Sequence, residues 1–393
     1  MTPPKKSKGE KYSKLAKDLA VDAEKLELLE NGTFPAWSTG CAVVDILTGI
    51  GGLPKGRIVE VFGRYSSGKS NLLISTAAQV QKEGKKVVWL DFERTFSAKW
   101  AKVMGLDCTN SDTFMLVRAD ASRTVEDGFD IISKLLSSPD AENIGLIVWD
   151  SLGGSVSEAE ADKTSASDNA KVASRAGVLN VELPKLAQRL EGLELPTTVA
   201  FVNQVRANFN PMSRKQEDTP GGYAFKHSAS MRIEIREVKK LVKTTVDEFT
   251  LAKQTEQIGQ RIKFTIEKTK HGQKGRQAEG TFTFQNGFDN AGILIEYAVA
   301  RGDFDKISAQ KFKVPGEFTV DGKEQEGTSL ALRKYFYSTP GALEKLTEGM
   351  TARINATYWE KVKSFSFDDV DEDITPGEPD AKDKTIDPET DDL

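Results

Sequence analysis

The sequence has 393 residues, with 54 Lys and Arg against 59 Asp and Glu, for a formal net charge of −5. Hydrophobic residues make up 38% and charged residues 29%, the balance of a globular chain, and no apolar run reaches the length of a membrane span. The two cysteines (Cys41, Cys108) and two histidines (His227, His271) are too few for a zinc finger, a multi-histidine metal centre or a disulfide scaffold; with no apolar stretch behind the basic start, no signal peptide and a reducing cytoplasm are expected.

Residues 1–17 carry six lysines and one acid and read as a basic arm. Over 13–30, Leu15, Leu19, Leu26 and Leu29 fall at helical spacing, and Asn31-Gly32 stops that helix. Its stripe can pack on its own core or on a neighbouring copy, so 1–36 is expected to be an N-terminal arm and helix. From 37 to 286, strand-like runs alternate with helical stretches. The strand candidates are Ile58–Phe62, Lys86–Leu90, Thr113–Arg118, Ile144–Trp149, Thr198–Asn203, Ser230–Ile235 and Arg261–Glu267. The first five are apolar on both faces, as in a buried parallel sheet with crossover helices; the last two alternate and fit an antiparallel extension. The fold class is therefore α/β, a mostly parallel twisted sheet flanked by helices. Residues 287–366 read as a small C-terminal α+β domain, with helices near 291–301 and 338–363. Residues 367–393, rich in Asp, Pro and Gly, read as a disordered acidic tail. From Asp368 to Leu393 there are twelve acids and two lysines, which leaves +5 on residues 1–367. A basic body with an acidic tail suggests an anionic partner and a built-in competitor for it; a tail that only aids solubility is the alternative.

The strand Ile58–Phe62 runs into Gly63-Arg64-Tyr65-Ser66-Ser67-Gly68-Lys69-Ser70, followed by Asn71-Leu72-Leu73-Ile74. This is G-x-x-x-x-G-K-S between a strand and a helix, the context of a phosphate-binding loop. Glycines let backbone N–H groups turn around a phosphate, and the helix N-terminus adds its positive dipole end. Lys69 is expected on the β- and γ-phosphates of ATP, and the Ser70 hydroxyl on Mg²⁺. The apolar strand Leu146-Ile147-Val148-Trp149 ends in Asp150, placed to orient Mg²⁺ through its water shell; a helix cap is the bland reading of such an Asp. A third apolar strand ends in Asp91-Phe92-Glu93, and Glu93 is the candidate base, against the alternative of a surface carboxylate.

With those residues in place, the chain resembles the RecA-type recombinases, bacterial RecA and phage UvsX-like members. The resemblance runs from about Ser38 to Gly349. Gly51-Gly52-Leu53-Pro54-Lys55-Gly56-Arg57-Ile58-Val59-Glu60 leads into the phosphate loop, and Asp91-Phe92-Glu93, Trp149-Asp150-Ser151, Phe201-Val202-Asn203-Gln204-Val205-Arg206 and Gly221-Gly222-Tyr223-Ala224-Phe225-Lys226 follow in the family's order. The resemblance implies an ATP- and Mg²⁺-dependent, DNA-stimulated ATPase in a helical homo-oligomeric filament on single-stranded DNA, which pairs it with homologous duplex. A single-strand-binding protein and a loading mediator are the implied helpers, in the cytoplasm of a bacterium or of a phage-infected host. Carried over by position, Glu93 activates the attacking water, Gln204 senses the γ-phosphate, and Trp100 stacks on adenine, although Trp100, Val103 and Met104 also read as one core-facing helical stripe.

Two segments resemble the family's DNA loops, about Val156 to Ala170 and Arg206 to Gly222. Arg175 lies just beyond the first. In the second, Arg206 and Arg214 supply charge for phosphates, Phe209 and Met212 can wedge between bases, and Gly221 and Gly222 close the loop. Arg236, Arg261 and Lys263 match the family's second, weaker DNA site; unaided, they are polar positions on exposed strand faces. The family's trans-acting lysine pair is displaced: Ile266 takes its first position and Lys268 its second, so Lys268 and Lys270 are expected to reach the neighbouring subunit's γ-phosphate. A RecA-fold hexameric helicase or KaiC-like ATPase, and a non-catalytic nucleotide-switched filament scaffold, remain the alternatives.

Overall fold

The computed structural model describes residues 34–118, 124–158, 172–207, 217–218, 223–246 and 253–364. The chain divides into two units, Met1–Thr351 and Ala352–Leu393. The basic arm, the acidic tail and most of both expected DNA loops lie outside the described residues.

The first unit is built on a nine-stranded sheet. Its strands are β1 Ile58–Gly63, β2 Lys86–Asp91, β3 Phe114–Arg118, β4 Ile144–Asp150, β5 Thr198–Gln204, β6 Met231–Val246, β7 Lys253–Thr269, β8 Gln277–Thr283 and β9 Gly287–Phe288. Their order across the sheet is β9-β8-β7-β6-β1-β5-β4-β2-β3. From β6 to β3 every neighbour is parallel; from β6 to β9 every neighbour is antiparallel. The helices are α1 Ala42–Thr48, α2 Lys69–Lys82, α3 Ala98–Val103, α4 Val125–Leu136, α5 Val172–Leu193, α6 Tyr223–Ser228 and α7 Asn290–Arg301, then α8 Ser329–Ser338 and α9 Ala342–Ser364.

The continuous apolar runs form strands buried on both faces because helices cover each side. Alternation sorts their side chains: Leu146 and Val148 of β4 join the cluster with Leu72, Leu73 and Ala77 of α2. Ile147 and Trp149 join the opposite cluster, with Phe129 and Ile132 of α4 and Leu183 and Leu190 of α5. Each such side chain contributes about 1.5–3 kcal/mol by burial. The second cluster needs close approach of α4: a Cβ on Gly128 would stand 2.0 Å from the Trp149 ring. All five expected parallel strands form, and crossovers leave their C-terminal ends on one edge, while β6 has a parallel neighbour in β1 and an antiparallel one in β7.

The antiparallel half departs from expectation. The candidates Ser230–Ile235 and Arg261–Glu267 are the inner ends of a much longer hairpin, β6 and β7, paired from Met231↔Thr269 to Val246↔Lys253. Its outer part carries Lys239, Lys240, Lys243, Val238 and Val242 exposed. Polar residues on both faces hide the alternation on which strand recognition depends. The segment expected to start a separate small domain opens with α7, whose Ile293 belongs to the main apolar cluster. Asn290 Nδ2 donates to Gly40 O at 3.0 Å, and its Oδ1 accepts from Ala42 N at 2.9 Å. Beyond α7 a three-stranded antiparallel sheet, β10 Asp305–Lys306, β11 Lys311–Val314 and β12 Gln325–Thr328, precedes α8.

In the turn after β7, His271 stacks on Phe34 with ring centroids 3.8 Å apart. Burial, then Arg57 and Lys270, push its imidazole down from 6.5 to about 4. The folded state therefore refuses a proton that the unfolded chain accepts, so stability is full above pH 6.5 and falls as pH drops through 4. His271→Phe keeps the stack without a titrating group. Its unfolding free energy should lose about 1–2 kcal/mol less than the unaltered protein's between those pH values, as read by denaturant melts. Parallel pH profiles for the two proteins would refute this.

Candidate functional site

Residues 63–70 close the end of β1 and open α2. Gly68 caps the helix in the left-handed region at φ 100°, which a side chain strongly disfavours. Lys69 is buried, and its Nζ donates to Gly63 O at 3.2 Å and Arg64 O at 2.7 Å across the loop. Burial lowers its affinity for the proton, while Asp150 and Glu93 pull it back up. Ser70 Oγ donates to Asp150 Oδ2 at 2.8 Å. Burial raises the Asp150 carboxyl to about 6; Glu93 and Asp91 push the same way, and Ser70 opposes. The Ser67 hydroxyl, buried in the loop, has no hydrogen-bond partner among the described residues.

These residues line a pocket of about 420 Å³. The chemistry fits Mg²⁺ and a polyphosphate: a hydroxyl beside a carboxylate, an ammonium turned onto loop carbonyls, and an unpaired buried donor in a glycine cradle. Ser70 and Asp150 are the residues that could hold the metal.

Two turns bring the remaining groups together. After β2, Phe92 N and Glu93 N both donate to Asp150 O, at 2.7 and 3.2 Å. Arg94 follows at φ 57°, a strained conformation of the kind that clusters at functional sites. Glu93 Oε1 accepts from Gln204 Nε2 at 2.8 Å and from Ser151 Oγ. Asp91, by contrast, is fully buried and caps the turn, accepting from Thr95 N at 3.0 Å and Phe96 N at 3.2 Å. Glu93, Gln204, Lys69, Ser70 and Asp150 thus converge on one pocket, with Tyr65, Ser66, Ser67, Gly68 and Asn71 along its wall.

The expected aromatic is tied to the pocket wall through Asn71. Trp100 Nε1 donates to Asn71 Oδ1 at 3.0 Å, and its ring packs on Phe282 and edge-on against Phe284, 6.1 and 5.7 Å away. Trp100 and Met104 pack against the main apolar cluster while Val103 is exposed, and Phe284 lines the pocket together with Tyr65. Phe284 was missed because it follows β8, a strand absent from the sequence reading. Glu237, Lys240, Gln257 and Gln260 of the hairpin also line the pocket, and nothing in the sequence marks them.

The expected DNA-binding residues fall in three groups. Phe209, Met212, Arg214, Gly221 and Gly222 lie outside the described residues. Arg206 begins a short ladder at the foot of the second loop, paired Arg206↔Asp218 and Ala207↔Glu217, where irregular chain was expected. Arg175, on α5, donates to Leu152 O at 3.4 Å, just past Asp150. Arg236 pairs with Glu234 at 2.6 Å, and Arg261 with Glu279 and Glu296 at 2.5 and 3.0 Å. Both guanidinium groups are thus held in ion pairs on the strand faces. Lys263 stands opposite Arg236 in the hairpin. Lys268 Nζ donates to Lys226 O and His227 O, at 2.5 and 3.1 Å, capping the end of α6. Burial, then Lys270 and Arg232, lower its proton affinity. Neither Lys268 nor the exposed Lys270 lines the pocket of its own chain.

The family model for the RecA N-terminal domain matches residues 21–289. Protein RecA of Leptospira biflexa is 32% identical over 319 residues, covering 81% of this chain and 74% of its own. That of Streptomyces venezuelae is 32% identical over 287 residues, covering 73% and 70%. That of a Sulfurovum species is 33% identical over 296 residues, covering 75% and 78%.

Proposed function

The chain belongs to the RecA family, as a recombinase of recombination and repair and a DNA-dependent ATPase, and from that premise we propose how its residues do this work. The observation that carries the reading is the 2.8 Å bond from Gln204 to Glu93. It ties a carboxylate placed to activate water to the strand end that leads directly into the second DNA loop. ATP is held by residues 63–70, with Lys69 on its outer phosphates. Ser70, and Asp150 through water, would hold Mg²⁺, which when bound would supply charge neutralisation at the phosphate oxygens. Glu93 positions the attacking water and takes its proton. Gln204 bonds Glu93 while no γ-phosphate competes and turns toward that phosphate when it is present, shifting the loop that starts at Arg206.

In this reading Arg175, Arg206, Phe209, Met212, Arg214, Gly221 and Gly222 grip single-stranded DNA on the inside of a helical filament. Lys268 and Lys270 act in trans on the next subunit's ATP, and Arg236, Arg261 and Lys263 form a weaker second DNA face. The four-part division of the chain, strand exchange with homologous duplex, single-strand-binding and mediator helpers, and a cytoplasmic location belong to the same proposal.

The test is ATP turnover with and without single-stranded DNA. Turnover is expected to depend on that DNA. Lys69→Ala should weaken ATP at least about thirtyfold, the cost of removing a cation from a largely desolvated charge contact, and lose ATP-dependent DNA binding. Equal turnover with and without DNA, or ATP binding that survives Lys69→Ala, would defeat the reading.

A further inference from the structure

The hairpin runs beyond the end of β1 and over the phosphate loop. Lys240 stands opposite Gln260 in its register. In its hydrogen-bonding orientation the Gln260 amide donates to Ser66 O at 3.3 Å and Glu237 Oε2 at 2.9 Å. The same amide lies 2.9 Å from where a Cβ on Gly68 would stand. The strand pair that carries Lys240 therefore rests on the loop itself. Alternation puts Lys240 and Gln260 on the pocket face, while Lys239 shares the other face with Arg261.

The pocket's charge balance gives Lys240 a purpose. Three carboxylates line it, Glu93, Asp150 and Glu237, against the ammoniums of Lys69 and Lys240. Lys69 is turned onto Gly63 O and Arg64 O. A polyphosphate entering this pocket brings several more negative charges, so a second cation on a long, exposed stem is needed close by. Resting on the reading of this pocket as a nucleoside-triphosphate site, we propose that Lys240 binds the phosphate chain of the nucleotide held by its own subunit. The hairpin thereby supplies a cation in cis, apart from the lysines that act in trans. Because ammonium meets phosphate at a solvent-exposed edge, the contact is salt-sensitive.

The experiment titrates ATP into the full chain with Mg²⁺ and without DNA, at two salt concentrations. Lys240→Ala should raise the Kd for ATP about tenfold at low salt and flatten its salt dependence. Lys240→Arg should stay within about threefold. Lys239→Ala, one residue along on the opposite face, should leave the Kd within about twofold. Lys69→Ala is measured alongside. If Lys240→Ala binds ATP normally while Lys69→Ala does not, the assignment of Lys240 is wrong and the pocket stands. If both bind normally, the pocket reading fails and takes the proposal with it. An equal loss in Lys239→Ala would mean a diffuse charge effect and would also overturn the assignment.

Discussion

Glu93→Gln is expected to leave ATP and single-stranded DNA binding near the unaltered level while slowing ATP turnover about 10²- to 10⁴-fold, the usual worth of a general base. The geometry separates the two effects. Glu93 is positioned by its backbone, through the bonds from Phe92 N and Glu93 N to Asp150 O, and a change at the side-chain tip leaves these intact. A glutamine keeps the shape and one acceptor oxygen for Gln204 and Ser151, so the local network persists. What disappears is the negative charge and the ability to take a proton from water. Asp91 cannot substitute, because it is fully buried and its oxygens cap the turn at Thr95 and Phe96. Filaments formed on ATP should therefore outlast those of the unaltered protein many times over. Phosphate release and filament lifetime are the two measurements, and turnover within tenfold of the unaltered rate would remove Glu93 from the base role.

How much of this was legible depended on where side chains face. The parallel strands announced themselves because burial on both sides demands unbroken apolar runs such as Ile144–Trp149. The phosphate loop, Asp150 and Glu93 followed from their places at strand ends. Lys240 and Gln260 stayed hidden, since they reach the pocket only through strand register in a hairpin whose outer part is polar on both faces, and Phe284 because it follows β8, a strand absent from the sequence reading. Trp100 shows the converse: its spacing fits core packing and its position fits base stacking, and its contacts with Phe282, Phe284 and Asn71 seat the ring against the core beside the pocket wall. The ion pairs of Arg261 were not legible because Glu279 and Glu296, its partners, lie on β8 and α7, distant in sequence.

The same dependence on register underlies the largest stability effect. Glu60→Leu is expected to cost about 3–5 kcal/mol, because it removes the carboxylate that faces a buried arginine. Glu60 on β1 is fully buried and pairs with Arg232 of β6, whose side chain is only 8% exposed. It also accepts from Asn203 Nδ2 of β5 at 2.8 Å. The Arg232 guanidinium lies 4.6 Å from the centre of the Phe62 ring. Three adjacent parallel strands are thus pinned at one level, immediately below the phosphate loop, Gln204 and the hairpin that these strands lead into. The loss should lower the thermal midpoint by roughly 6–15 °C for a unit of this size. The pair itself need not be net stabilising, since two desolvated charges repay their burial only when both are present. Glu60→Leu with Arg232→Met should accordingly recover most of the loss, giving a coupling energy of about 2–3 kcal/mol in a double-mutant cycle. Additive losses in the double variant would show that Glu60 and Arg232 act separately. A recovered fold with ATP affinity still depressed would show that the charged cluster also sets the register of the strands that carry the site.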